Sequence, residues 1–358
     1  MKYSGEKINE AGRKLLGANL VNNQKEFDAV LDVLSYWRSE HDVPLNAAFE
    51  LLQKTALDID RKAIFARRLK RYASIVKKLH RFSSMNLRNM QDIGGCRAIL
   101  TNLKKIEQVL RELKHKPEFR WVDGRHRIKD YVAGPKDDGY RSVHIIGNFA
   151  GESRAVRRIE VQLRTFIQHY WATALEIVDL FTHQALKSNQ GDRDWRLFFQ
   201  SVSIHFAMMD SIHLFHTSNA ATKLTTYRRR LAKDCGLAES AKVVRACCKK
   251  LRVIEKLQAF AGSLEVVDDK LAHSKEAGFA LLKIDIERKT VETTVFPSDA
   301  SKLAEAEYTR IESETAKLAG VVVALVSSSA VGGIKEAYPN YFADSTHFIN
   351  HLKLILYA

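Results

Sequence analysis

Apolar side chains recur every three to four positions through most of residues 4–57, with Phe27, Val30, Leu31, Val33, Leu34 and Trp37 as the clearest run. That spacing stacks them on one face of a helix. Pro44 marks a turn, and Asn46 to Thr55 follows as a second helix. From about Asp60 to His80 the pattern predicts a basic helix carrying Arg61, Lys62, Arg67, Arg68, Lys70, Arg71, Lys77 and Lys78. A charge run of this kind usually marks a solvated face. The period then shortens. Cys96 to Thr101 predicts a buried strand and Ile106 to His115 a helix, while Arg125–Ala133, Ser142–Phe149 and Arg158–Arg164 alternate as strands of one sheet. Loops fall at Gly134–Arg141 and Ala150–Ala155.

Phe166 to Gln184 predicts an amphipathic helix, with further helices to about Phe260 and a loop at Gln190-Gly191-Asp192. Phe181, Trp195, Phe198, Phe199 and Phe206 read as a helical core, and His205, His213 and His216 as packed or surface histidines rather than ligands. Beyond residue 261 the pattern changes again. Phe279–Ile286 and Thr290–Phe296 form a hairpin, Ser298–Leu318 a helix, Val321–Ser327 a buried strand and Thr346–Tyr357 a closing helix. The aromatic run Ala337–Asp344 is turn-like, and either packs on the sheet or presents a docking surface. The expected class is α/β (α+β), a mixed-sheet domain flanked by helices plus a small C-terminal α+β domain. The expected division is a helical segment over 1–60, the sheet domain over 61–185, a helical extension over 186–261 and the α+β domain over 262–358.

At 358 residues the chain has room for two or three domains with cores of their own. Its net charge of +15 is uneven: residues 262–358 hold 14 acids and 10 bases, leaving +19 for residues 1–261. Such a field gathers anionic ligands, nucleotides and RNA alike. Four cysteines without a C-x-x-C pair suggest neither a disulfide framework nor a zinc site. No run of about 18 apolar residues exists, and Met1–Glu6 lacks the apolar region of a signal peptide. The expectation is a cytoplasmic protein with no membrane partner.

The candidate chemistry lies in three blocks. Asp92 precedes a strand at Gly94-Gly95, read as a tight turn, where a carboxylate unobstructed by side chains suits a magnesium bound to phosphates. Magnesium takes one or two protein carboxylates, and Glu160 supplies the second, on a strand whose alternation puts Glu160, Gln162 and Arg164 on one face. Taken alone, each acid is more often part of a polar strand edge; two such blocks in one chain favour a metal. Arg97 stands five residues after Asp92, and its guanidinium suits a base or a phosphate. Lys129, Lys136 and Arg141 surround Tyr140, an aromatic face among cations of the kind that holds a nucleobase with its phosphates.

These blocks resemble the synthetase domain of the RelA/SpoT alarmone family. The resemblance runs through Arg68-Leu69-Lys70 with Ser74 and Lys77-Lys78, then Met90-Gln91-Asp92-Ile93-Gly94-Gly95-Cys96-Arg97. It continues through Lys129-Asp130-Tyr131, Pro135-Lys136 and Gly139-Tyr140-Arg141-Ser142-Val143-His144 to Glu160-Val161-Gln162-Leu163-Arg164-Thr165. Four ordered blocks over about Arg61–Asp179 are far more specific than any single motif. The resemblance implies a nucleotidyltransferase-like fold and a pyrophosphokinase that moves the β,γ-diphosphate of ATP onto a ribose 3′-hydroxyl. It implies that Arg68 and Arg97 sandwich the adenine, that Lys70, Ser74 and Lys77 or Lys78 face the ATP phosphates, and that Asp92 and Glu160 hold Mg2+. Glu160 would also be the base on the acceptor hydroxyl. Tyr140 would stack on the acceptor guanine, with Lys129, Lys136 and His144 binding the acceptor and Asp138 and Arg141 beside them.

The sequence departs from the family pattern at two points. Asp138 stands where long members often have asparagine, which preserves hydrogen bonding to guanine but repels phosphates. Ile177 follows Glu176 where short members often have histidine. The family's long members carry a hydrolase with a His-Asp pair, but His41-Asp42 lacks its other histidines and the first 60 residues are too few for it. Two acceptors stay open: GDP or GTP, giving (p)ppGpp, or the 3′-end of tRNA, giving a toxic enzyme that blocks translation. A catalytically silent binder is disfavoured by the presence of both Asp92 and Glu160. Charge asymmetry alone suggests that the acidic C-terminal segment regulates the basic half or senses a protein partner.

Overall fold

The computed structural model describes residues 2–17, 23–70, 72–82, 84–151, 155–182, 186, 191–212, 219–272, 277–288, 290–315, 318, 320–327 and 341–358. The chain forms two compact units, Met1–Asp130 with Ser142–Arg164, and Tyr131–Arg141 with Thr165–Ala358. The expected mixed α/β class holds.

The first unit begins with three helices, α1 (Gly5–Lys14), α2 (Gln24–Ser39) and α3 (Asp42–Ile59). The side chains of Ser4 and Asn23 accept from backbone N–H groups in the first turns of α1 and α2, the usual way an orphan helix donor is satisfied. Pro44 does not end a helix. It sits buried in the first turn of α3, where the N–H that proline lacks has no intrahelical partner to lose.

A five-stranded sheet follows, made of β1 (Ile64–Leu69), β2 (Gly94–Leu100), β3 (Arg127–Asp130), β4 (Val143–Ala150) and β5 (Val156–Thr165), in the order β1-β2-β5-β4-β3. Helices α4 (Tyr72–Arg81) and α5 (Leu103–His115) interrupt it. The basic helix expected over Asp60–His80 is therefore corrected to a strand and a shorter helix. In Ile64-Phe65-Ala66-Arg67-Arg68-Leu69 the arginines alternate in direction, and the strand pairs antiparallel with β2 from Ile64 opposite Ile99 to Leu69 opposite Gly94. Pairing to the sheet overrides the helical propensity of Arg and Leu in this edge strand.

Strand alternation sorts the sheet into two faces. Cys96, Ala98, Ile145, Ile159, Val161 and Leu163 are buried on the face covered by α3 and α5. Gly94 lies in β2 rather than in a turn, and its place there is steric. A Cβ would stand 2.7 Å from Ile159 Cδ1, with His41 and Leu45 of the α2–α3 corner next in line. His41 is itself buried, with Nδ1 2.8 Å from the Trp37 carbonyl and its ring edge-on to the indole. Burial pushes its pKa down to about 4, so it is a neutral packing residue.

The second unit is built around α6 (Phe166–Thr182), followed by α7 (Arg193–Ser211), α8 (Ala220–Leu231), α9 (Cys235–Leu251) and α10 (Val253–Ala272). Strands β6 (Ala277–Asp285), β7 (Thr290–Pro297) and β8 (Val321–Ser327) form an antiparallel sheet in the order β7-β6-β8, with α11 (Ser301–Thr315) packed on it. The last helix is α12 (Tyr341–Leu356). The reading of α6 as amphipathic is corrected: 12 of its 17 residues are buried, because α7, α10, α12 and β8 all pack around it. The five aromatics expected in the helical core are there, together with Ile284 of β6, Val326 of β8 and Phe348 of α12. Residues beyond 261 thus share one core with α6 and α7. His205 is a buried core histidine whose Nδ1 shares a 2.8 Å hydrogen bond with the buried Tyr227 hydroxyl, while its Nε2 is buried without a well-formed hydrogen bond. His213 and His216, Gln190 of the expected loop and Ala337–Asn340 of the aromatic run lie outside the described residues.

Candidate active site

The polar face of the first sheet carries the chemistry. Register places Arg68 opposite Gly95, Ala66 opposite Arg97, His144 opposite Gln162, Lys129 opposite His144 and Ile146 opposite Glu160. Directly opposed residues point the same way. Arg68, Arg97, Lys129, His144, Glu160, Gln162 and Arg164 therefore share one face, drawn from all five strands.

The β1–β2 pairing continues one step past Leu69, where Lys70 N–H donates to the Ile93 carbonyl at 2.7 Å. That step brings Lys70 beside Asp92: Lys70 Nζ lies 2.9 Å from Asp92 Oδ2. Helix α4 supplies the other partner. Its Ile75 and Leu79 are buried in a cluster with Met90 and Ile93, fixing the helix against the Asp92 turn. Lys78 then reaches Asp92 Oδ1 at 2.8 Å. Ser74, one turn before Lys78, shares its side of α4, whereas Lys77 is exposed.

Asp92 is 17 % exposed, so these pairs act with less screening than on an open surface. Burial disfavours its charge, yet Lys70 and Lys78 outweigh burial and hold the carboxyl below the ordinary carboxylate range, with the negative charge of Glu160 opposing them. Glu160 shows the same contest. Burial raises it, and the His144 ring, the Gln162 amide and the charge of Lys78 hold it well below the ordinary range. His144 Nδ1 stands 3.1 Å from Glu160 Oε1, and Gln162 Nε2 donates to Oε2 at 2.6 Å. Gln162 Oε1 accepts in turn from Arg97 Nε at 3.3 Å and from Arg164 at 3.1 Å. Lys78 acts electrostatically on both carboxylates.

Two ionised carboxylates that sense each other's charge could hold a hard divalent cation alongside substrate oxygens and water. Among the described residues no cluster of three or more His, Cys, Asp or Glu side chains could cage a metal with protein ligands alone. A cation shared with a phosphate substrate fits this donor set. Arg68 has a buried Nη1 with no hydrogen-bond partner, a guanidinium donor left over for a ligand.

Lys136, Asp138, Tyr140 and Arg141 belong to the second unit. There Lys136 Nζ stands 4.6 Å from the ring centres of both Tyr131 and Tyr140, whose rings meet edge-on at 5.9 Å. Asp138 Oδ1 accepts from the Tyr140 backbone N–H at 2.8 Å, closing a turn. Arg141 donates to the Val132 carbonyl and the Ser203 hydroxyl. Sequence reasoning missed Tyr131 as a member of this group, although two tyrosines bracketing Pro135-Lys136 were visible. It also missed Asp210, which is buried on α7 and accepts from the Thr165 hydroxyl at 2.6 Å and the Gln168 amide at 3.2 Å. Nothing local in the sequence links positions 45 residues apart.

Residues 67–177 match the family model described as the region found in RelA / SpoT proteins. This segment carries the region found in RelA / SpoT proteins, in the same stretch where the sequence blocks placed the resemblance. Over 113 residues the chain is 34 % identical to the GTP pyrophosphokinase YjbM of Bacillus subtilis (strain 168), covering 30 % of this chain and 51 % of YjbM. Over 115 residues it is 33 % identical to YwaC of the same organism, covering 30 % and 52 %. The chain spans about half the length of these curated relatives. Among solved structures, small alarmone synthetase 1 from Bacillus subtilis bound to its product pppGpp aligns at 25 % identity with a TM-score of 0.40, over 49 % of this chain and 94 % of that one. No helix among the described residues is long and apolar enough to cross a membrane.

Proposed function

We propose that this protein is an ATP-dependent pyrophosphokinase that transfers the β,γ-diphosphate of ATP to the ribose 3′-hydroxyl of GDP or GTP. The observation that carries the reading is the pair of ionised carboxylates, Asp92 and Glu160, on a face lined by Lys70, Lys78, Arg97 and Arg164. Diphosphate transfer needs in-line positioning and neutralised charge more than a covalent intermediate. Relatives that carry the same region are named GTP pyrophosphokinases, which supports the same reaction class here.

In this mechanism Arg68 and Arg97 hold the adenine, and Lys70, Ser74 and Lys78 take the phosphates, with Lys77 as an outer cation. Asp92 and Glu160 would hold a magnesium ion brought in with ATP, which would supply neutralisation of phosphate charge. The acceptor 3′-oxygen attacks the β-phosphorus, the bond to the α,β-bridging oxygen breaks, and AMP leaves. The hydroxyl proton passes to Glu160. His144 and Gln162 favour the ionised form of Glu160, and the weak basicity that follows places proton transfer late, as the new O–P bond forms. Tyr140 and Lys136 read the acceptor base, with Lys129 and His144 on its sugar and phosphates and Asp138 and Arg141 shaping the loop.

One observation favours a second acceptor. The excess of +19 over residues 1–261 suits an RNA backbone better than a single nucleotide requires. Pyrophosphorylation of the tRNA 3′-end is the alternative. Purified protein with γ-labelled ATP, magnesium and GDP, GTP or tRNA separates the two. Label on the guanine nucleotide supports the first, label on tRNA the second, and label on none of them overturns the proposal.

A further inference from the structure

Helix α7 lies outside the segment that matches the family model, yet it meets the loop Tyr131–Arg141 at successive points. Gln200 Nε2 donates to the Asp137 carbonyl at 2.5 Å. One turn on, Ser203 Oγ donates to the Gly139 carbonyl at 2.5 Å and accepts from Arg141 Nε at 3.1 Å. Gly139 lies at φ +91°, and a Cβ there would stand 2.9 Å from Ser203 Cβ, 3.2 Å from Gln200 Cα and 3.3 Å from the Phe199 carbonyl. Only glycine allows both that backbone conformation and that approach. The other side of α7 is anchored: Phe198, Phe199, Val202 and Phe206 are buried in the core of the second unit. The loop is closed on itself as well, with Lys136 N–H donating to the Tyr140 carbonyl and Gly139 N–H to the Lys136 carbonyl.

We propose that Gln200 and Ser203 are positioning residues for the acceptor: they hold the backbone of the loop so that Tyr131, Lys136 and Tyr140 present one preformed cation–aromatic surface to a nucleobase. This rests on the reading of Tyr140 as an acceptor-binding residue. The physical argument is preorganisation. A loop of this length left to order itself on binding gives up affinity for its acceptor, whereas one already fastened does not. Ser203 matters most, since one hydroxyl serves a carbonyl and a guanidinium on the same loop, and is itself 3 % exposed. The determinant of acceptor affinity therefore extends into a helix that carries none of the recognised motifs.

The test compares Gln200→Ala, Ser203→Ala and their combination with Tyr140→Ala in the full-length protein, after circular dichroism has shown each to be folded. Equilibrium binding is measured for GDP, for tRNA and for a non-hydrolysable ATP analogue, with steady-state kcat and KM for each substrate. The expected result is a roughly tenfold weakening of acceptor binding for Ser203→Ala and more for the double variant, corresponding to loss of about one well-made hydrogen bond or two. The ATP analogue binds as before, and kcat at saturating acceptor holds. If Tyr140→Ala weakens the acceptor and the α7 variants do not, the role of α7 is wrong while the loop keeps its function. If Tyr140→Ala leaves acceptor binding intact, the reading of the loop fails and this inference with it. Equal weakening of ATP and acceptor in the α7 variants also overturns it, by showing a general loss of structure.

Discussion

Lys78 Nζ lies 2.8 Å from Asp92 Oδ1, and the same ammonium group helps to keep Glu160 ionised. One lysine on a helix thus serves two carboxylates from different parts of the sheet domain. A phosphate substrate bringing its own cation would take over the carboxylates and free Lys78 to face phosphate oxygen. Lys78→Met is expected to lower kcat/KM for ATP by 10- to 100-fold, from a charge-assisted contact of about 1.5–3 kcal/mol. Lys77→Met, which removes the outer cation at an exposed position of the same helix, should cost less, up to about fivefold, as for a solvent-screened charge. Equal losses in both variants would show that general positive charge, rather than this geometry, is what matters.

Glu160→Gln keeps the size and polarity of the side chain and removes its charge. Transfer is expected to fall by about 10²–10⁴-fold, the range for loss of a proton acceptor, with binding of a non-hydrolysable ATP analogue largely kept. Single-turnover transfer of label checks the first and calorimetry the second. The same variant has a signature in stability. A carboxyl held below its unfolded value stabilises the fold above about pH 4.3 and loses that contribution as pH falls further. Urea titrations at pH 3–6 should show a shallower acid decline for Glu160→Gln, and parallel curves would contradict the ionised, partnered state of Glu160.

Asp210 behaves in the opposite sense. Burial pushes its carboxyl up to about 7, against the hydroxyl of Thr165, the amide of Gln168 and the charge of Arg141. A raised carboxyl favours folding most below its unfolded value, and that contribution is lost as pH climbs from about 4 to about 7. Asp210→Asn preserves an acceptor for Thr165 and removes the ionisation. The variant is expected to gain stability relative to the parent as pH rises through this window, on the order of 2–4 kcal/mol by pH 8. A constant difference between the two proteins at pH 5 and pH 8 would refute the raised value.

Gly94→Ala tests the packing behind the site. The added methyl meets Ile159 Cδ1, the end of that side chain, and relief requires Ile159 to leave its rotamer within a packed layer. A cost of about 1–3 kcal/mol is expected from overpacking of this kind, read as a lower urea midpoint with an unchanged slope. An unaltered midpoint would mean that Ile159 has room to turn away.

Much of this arrangement was legible in the residues. The alternation of Glu160, Gln162 and Arg164 put three polar groups on one face, and the structure joins them in one hydrogen-bonded row. The Asp92 block fixed the second carboxylate. What failed did so where a pattern had two readings. Ile64–Leu69 carries helix formers and arginines, and only its pairing with β2 makes it a strand. Gly94 looked like a turn residue, but its need for glycine comes from Ile159, 65 positions away. Phe166–Thr182 carries polar residues that suggested a wet face; Gln168 and His169 are instead buried against Asp210 and Asp344. Buried polar pairs across long separations leave no local periodicity to find.

The eleven residues Tyr131–Arg141 are flanked on both sides by the first unit but fold with the second. In inheritance, then, chain order and structural dependence diverge. A crossover after residue 164 that replaced the rest of the chain would leave those eleven residues in place and remove Gln200 and Ser203, to which they are tied. The loop depends on α7 most directly at Arg141, whose guanidinium meets Ser203, and at Gly139, where a side chain would run into α7. A chimaera that moves the loop without α7 would leave the Asp137 and Gly139 carbonyls and the Arg141 guanidinium without these partners.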